Sequence, residues 1–137
     1  MYNPSLVEPM REELTSLGIQ ELRTESDVDE VLGQNQGTVL VVVNSVCGCA
    51  AGAARPGVKL ALENPKKPTK ITTVFAGQDK EATEKARSYF QGYPPSSPSA
   101  ALIKDGHVVF MLQRRDIEGY SALEIADKLK NAFNEFC

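Results

Sequence analysis

Apolar and polar positions change period several times along the chain, and each change marks an element. Thr38–Asn44 reads TVLVVVN, apolar and β-branched on both faces. Such a strand needs cover on both sides, as at the centre of a sheet flanked by helices. Ile71–Ala76 (ITTVFA) predicts a second buried strand, and Ile19–Leu22 a short one. Ala100–Lys104 and His107–Leu112 predict two more, joined by Asp105-Gly106, a dipeptide that favours a two-residue hairpin turn. Elsewhere the spacing is helical. Met10, Leu14 and Leu17 share one face of a helix over Glu8–Leu17, which Gly18 ends, with Met1–Val7 loosely held before it. Ser26 is placed to cap a helix running to about Gln34, with Asp27, Asp29 and Glu30 near its positive end. Ala50–Leu62 reads as a helix interrupted near Pro56-Gly57, and Lys80–Phe90 as an uninterrupted one. Leu123, Ala126, Leu129, Lys130, Phe133 and Phe136 mark the stripe of a final helix over Ser121–Phe136. Asn64–Lys70 and Gln91–Ser99 are rich in turn residues.

The order β-α-β-α-β-α-β-β-α, with an extra helix in front, predicts an α/β fold. A mixed sheet, largely parallel with a final antiparallel hairpin, lies between helices on both faces. At 137 residues, with no internal repeat and no linker between apolar halves, the chain reads as one domain, residues 1–17 forming an N-terminal extension. A net charge of −3 argues against nucleic acid as a partner, since phosphate binding needs a basic face. No apolar run is longer than Val39–Val43, far short of the roughly 20 residues of a membrane helix. The first residues carry Glu8, Glu12 and Glu13 and no apolar stretch, unlike a secretory signal. A cytoplasmic protein is expected. Oligomeric state is left open, since no heptad is evident.

The three cysteines carry the chemistry. An odd number cannot be fully paired within one chain, and Cys47 and Cys49 are separated only by Gly48. They fall between a buried strand and a helix start. Strand ends of such sheets open into a crevice, and free N–H groups of a helix start stabilise a thiolate. Cys47, nearer the strand, is expected to attack, and Cys49 to resolve the mixed disulfide. Gly48 and Gly52 are expected to keep crowding around the sulfurs low. Bridging two cysteines across one residue strains the loop, so reversible exchange is expected rather than a lasting cross-link. Two alternatives stay open. The pair could hold a soft metal ion, with a second chain completing the ligands. It could also belong to a redox-inert interaction domain. His107 and Cys137 read as a solvated strand residue and a mobile terminus. Pro98, directly before a strand, is a candidate for a cis bond that turns the chain toward the cysteines. Arg55 reads as solvent-facing, with a crevice-facing role as the alternative, and Arg114 and Arg115 also read as solvent-facing.

A cysteine motif after the second strand and a proline before the fourth resemble the thioredoxin fold, three layers with a central mixed sheet. VVVNSVCGCAAGAARPG (Val41–Gly57), TVFAGQDKEAT (Thr73–Thr83), PPSSPSAAL (Pro94–Leu102) and Ile117–Gly119 resemble the bacilliredoxin family. The resemblance covers almost the whole chain. It implies a thiol–disulfide oxidoreductase acting on bacillithiolated proteins. Cys47 would take bacillithiol from the mixed disulfide, and Cys49 would release it, leaving an internal disulfide. It implies a cis proline at Pro98, with Ser97, Pro98 and Gly48 contacting substrate. It also implies no cofactor or metal beyond the exchanged bacillithiol. A disulfide isomerase or weak thiol oxidant using the same pair is the alternative. The Trp-Cys-Gly-Pro-Cys of ordinary thioredoxins is absent, which argues against ordinary thioredoxin activity.

Overall fold

A computed structural model describes residues 1–137. Five strands form one mixed sheet in the order β1-β3-β2-β4-β5. They are β1 (Gln20–Glu21), β2 (Thr38–Asn44), β3 (Lys70–Phe75), β4 (Ser99–Lys104) and β5 (His107–Leu112). β3 runs parallel to both β1 and β2, whereas β4 runs antiparallel to β2 and to β5. β2 is buried along its full length, as its two apolar faces require. Leu40 and Val42 point into one core, and Val39, Val41 and Val43 into the other. The hairpin turn has positive φ at Asp105 (49°) and Gly106 (87°), the conformation that matches strand twist.

α3 (Arg55–Ala61) and α6 (Ala122–Phe136) cover the Leu40 face, and α2 (Glu25–Leu32) and α4 (Lys80–Ser88) cover the Val41 face. Gly57 lets α3 and α6 approach closely, since a Cβ there would stand 2.7 Å from Ile125 Cγ2. The stripe of α6 is Ile125, Ala126, Leu129, Ala132 and Phe133. Leu123 is 67% exposed, so the core-facing direction is rotated from the expected one. α2 is capped by Thr24 rather than Ser26, through a capping box with Asp27.

The N-terminal segment is more ordered than expected. α1 (Pro4–Thr15) starts where a loose tail was anticipated and buries Val7, Arg11 and Leu14 instead of Met10 and Leu17. Arg11 explains the difference. Its guanidinium bonds Glu21 at 2.9 Å and Asp79 at 2.7 Å and lies over the Phe75 ring. Burial alone would lower its pKa, but the hydrogen bonds it donates to both carboxylates outweigh it and hold the charge. A charged residue thus occupies a buried helix position, which apolar periodicity cannot reveal. A further one-turn helix, α5 (Arg114–Ile117), was not anticipated. No helix is long and apolar enough to cross a membrane.

Candidate active site

β2 delivers the chain to the cysteines. Asn44 and Ser45 are buried, and the Cys47 N–H donates to Ser45 Oγ at 3.0 Å, fixing the turn. Helical geometry begins at Gly48, so Cys49 lies already inside the first turn rather than in a preceding loop. The Cys47 carbonyl accepts from the N–H of Ala50 (3.0 Å) and Ala51 (3.3 Å). Ala50–Ala54 then forms a wide π turn, closed by the Arg55 N–H donating to the Ala50 carbonyl. The widening ends at Ala54, two residues before Pro56, whose ring would press on the Gly52 carbonyl in a regular α-helix. The expected interruption is therefore present, but it lies before the proline, next to the thiols.

Cys47 and Cys49 are half-buried free thiols with sulfurs 2.8 Å apart. The Cys49 thiol is the main stabiliser of a Cys47 thiolate. Burial opposes it, while the Cys49 N–H at 3.4 Å, the charge of Arg114 and the Ala50 N–H assist. The Cys47 pKa therefore falls below the ordinary thiol value. Cys49 moves the opposite way. Burial, its hydrogen bond to Cys47 and the negative charge there all favour its neutral form, with Arg114 opposing. A Cβ on Gly48 or Gly52 would meet open space. Crowding at the sulfurs is therefore not what these glycines relieve, and Gly48 is exposed.

Ser99 pairs with Val43, so Pro98 enters the sheet beside the exit of β2 toward the cysteines. The Ser97–Pro98 peptide bond is cis, and Pro98 is buried. Ser97 is half-buried, and its carbonyl accepts from an Arg114 terminal nitrogen at 3.4 Å. The topology thus brings Cys47, Gly48, Cys49, Ser97 and Pro98 to one end of the sheet. His107 and the exposed Cys137 are not among the groups around the thiols.

Arg55 corrects both expectations made for it. It is 3% exposed, and one terminal nitrogen donates to Asn44 Oδ1 (2.9 Å) and the Ser45 carbonyl (2.8 Å). Its Nε lies 3.1 Å from Glu13, so its charge is spent behind the cysteine turn, not in solvent or crevice. Arg114 was the missed residue. Its Nε donates to Glu118 at 2.9 Å and its backbone N–H to Ser96 Oγ at 3.2 Å. Its charge favours the thiolate form of both cysteines. The signal lay in the topology. β5 is antiparallel to β4, which is antiparallel to β2, so residues after β5 return to the cysteine end. No three His, Cys, Asp or Glu side chains converge anywhere, so a metal held by Cys47 and Cys49 would need further ligands from elsewhere.

The family model described as disulphide isomerase matches residues 2–137. A bacilliredoxin of Koribacter versatilis is 53% identical over the whole chain and 94% of its own length. A bacilliredoxin of Staphylococcus aureus is 50% identical over the same shares. Among solved structures, Fasciola hepatica thioredoxin superposes with a TM-score of 0.60 over 87% of this chain and all of its own, at 23% identity. Reduced Schistosoma mansoni thioredoxin gives 0.60 over 87% and 98%, at 20% identity. At that identity the likeness carries the fold, a thioredoxin fold.

Proposed function

This chain belongs to the bacilliredoxins, a family of thiol–disulfide oxidoreductases, and from that premise we propose that it removes bacillithiol from protein mixed disulfides. The observation that carries the reading is the opposed ionisation of two sulfurs 2.8 Å apart. The Cys47 thiolate attacks the bacillithiol sulfur of the mixed disulfide. A Cys47–bacillithiol bond forms, and the client sulfur leaves as a thiolate and takes a proton. The neutral Cys49 thiol then loses its proton and attacks Cys47 Sγ. Bacillithiol leaves as a thiol, and a Cys47–Cys49 disulfide remains. One client disulfide is reduced and the protein dithiol is oxidised, so electrons balance without a cofactor or metal.

Exchange runs best with an attacking thiol whose pKa lies near ambient pH, which is the direction of the Cys47 shift. Once Cys47 is blocked by bacillithiol it no longer carries the charge that disfavours a Cys49 thiolate, so the resolving step becomes easier. Gly48, Ser97 and Pro98 line the approach and contact the client backbone in this reading. The work takes place in a reducing cytoplasm, where mixed disulfides are transient.

The description of the family model favours one further reading, isomerisation of client disulfides by the same pair. The test uses a client enzyme whose catalytic cysteine is blocked by bacillithiol, alongside a client with scrambled disulfides. The reduced protein should restore the blocked client, and Cys47→Ser should not. Rearrangement of the scrambled client, with no recovery of the blocked one, would replace the proposal by the isomerase reading.

A further inference from the structure

At the cysteine end of the sheet lies a cavity of about 350 Å³ lined by Pro94, Ser96, Gln113, Arg114, Arg115 and Glu118, and linked to the thiols by Arg114, whose charge acts on both. Its size suits a small molecule rather than a peptide segment, being at the low end for ligand pockets. The walls come from the loop before the cis Ser97–Pro98 bond and from the start of α5. Both walls are tied together: Gln113 Nε2 donates to the Pro94 carbonyl at 3.4 Å, and Arg114 bonds Ser96 and Ser97. No apolar side chain other than the proline ring lines it. Two cations face one carboxylate. Glu118 engages Arg114 through Nε alone, and Arg115 makes no ion pair. This is a surplus of positive charge in an overall acidic protein. Guanidinium groups with free donors suit carboxylates, which they can bind through two parallel hydrogen bonds.

Bacillithiol bears a malate group, and we propose that this cavity seats that carboxylate-bearing half, with Arg114 and Arg115 holding its acid groups. The inference rests on the de-bacillithiolation reading and adds to it a choice of sulfur. A mixed disulfide offers Cys47 two sulfurs. Attack on the small-thiol sulfur forms a Cys47–small thiol bond and expels the client thiolate. Attack on the client sulfur forms a Cys47–client bond and expels the small thiol. A seat held by Arg114, whose charge reaches Cys47, presents the first sulfur and disfavours the second. Arg114 also favours the Cys47 thiolate, but that effect speeds both attacks alike and leaves their ratio unchanged.

The ratio is therefore the measurement. In a Cys49→Ser, Cys137→Ser background, Cys47 is the one remaining thiol. A peptide with a single cysteine is capped with bacillithiol, or with N-acetylcysteamine, which carries no acid. Intact-protein mass spectrometry counts the two adducts on Cys47. With the bacillithiol cap the small-thiol adduct should dominate. Adding Arg114→Gln and Arg115→Gln should cut the ratio at least about fivefold, in the direction of lost charge-assisted bonds. Arg114→Lys, which keeps the charge but loses the paired donors, should retain only part of it. With N-acetylcysteamine the ratio should not respond to these changes. A second readout does not use exchange: succinate should shift the amide NMR signals of residues 113–118, and neutral succinamide should not. An unchanged ratio, an equal fall for both caps, or succinate shifts that survive loss of both arginines would overturn the inference. If neither adduct forms with the bacillithiol cap, the exchange reading itself fails, a result distinct from an altered ratio.

Discussion

Cys47 and Cys49 differ in what surrounds them, although one glycine separates them. The Cys47 sulfur is met by the Cys49 thiol and the Cys49 N–H, and the Cys49 sulfur by burial and a neighbouring negative charge. The reactive form is the thiolate, so a lowered pKa moves the rising limb of reactivity to lower pH. Alkylation of the native protein by iodoacetamide should therefore label Cys47 with a midpoint below the ordinary value of about 8.5, and before Cys49. Removing the main stabiliser by Cys49→Ala should move the Cys47 midpoint up and slow its labelling severalfold at pH 7. Peptide mapping across pH checks both, and earlier labelling of Cys49 would contradict them. At this scale the pair itself was readable, because two thiols flanking a glycine after a buried strand are a local pattern. Pro98 was readable too, as a proline directly before a strand, and its peptide bond is cis. The buried arginines were not. Arg11 and Arg55 are charged groups 3% exposed, held by Glu21, Asp79, Asn44 and Ser45 from other parts of the chain. Their partners lie up to 68 positions away, beyond any local pattern.

Among the elements, the strands followed the sequence most closely. β2 and β5 have the expected limits, because an apolar β-branched run and a positive-φ turn each have one good solution. Helix faces and caps were less legible. Thr24 outcompetes Ser26 because only it reaches a capping-box partner, Asp27. The α6 stripe turns because Ile125 must meet α3 at Gly57. That contact gives a prediction. Gly57→Ala puts a methyl 2.7 Å from Ile125 Cγ2 and 3.2 Å from the Ala122 carbonyl. Overpacking of this kind typically costs about 1–3 kcal/mol, more than the helix-propensity gain of about 1 kcal/mol for Gly→Ala. Urea unfolding should show a lower midpoint with unchanged slope, and a raised midpoint would contradict the close approach. The π turn at Ala50–Ala54 was visible only as an interruption, since Pro56 forbids a regular helix without saying where the relief falls.

Across the whole molecule, the sheet order explains why distant segments share one site. β2 ends, β4 begins and β5 ends at the same end of the sheet, so the cysteine turn, the cis-proline loop and α5 converge there. The alternation of strands and helices made the architecture legible in the residues alone, and the motifs made the family legible. The arginine-lined cavity was hidden because it exists only once β5 has folded back. The central claim is that Cys47 receives the small thiol and Cys49 expels it. The most direct test mixes a bacillithiolated client with the reduced wild type and with Cys49→Ser, and weighs each intact protein. The wild type should lose two hydrogens and free the client, while Cys49→Ser should accumulate a single bacillithiol adduct mapped to Cys47. An adduct on another residue, or a Cys49→Ser protein that turns over as the wild type does, would contradict the account.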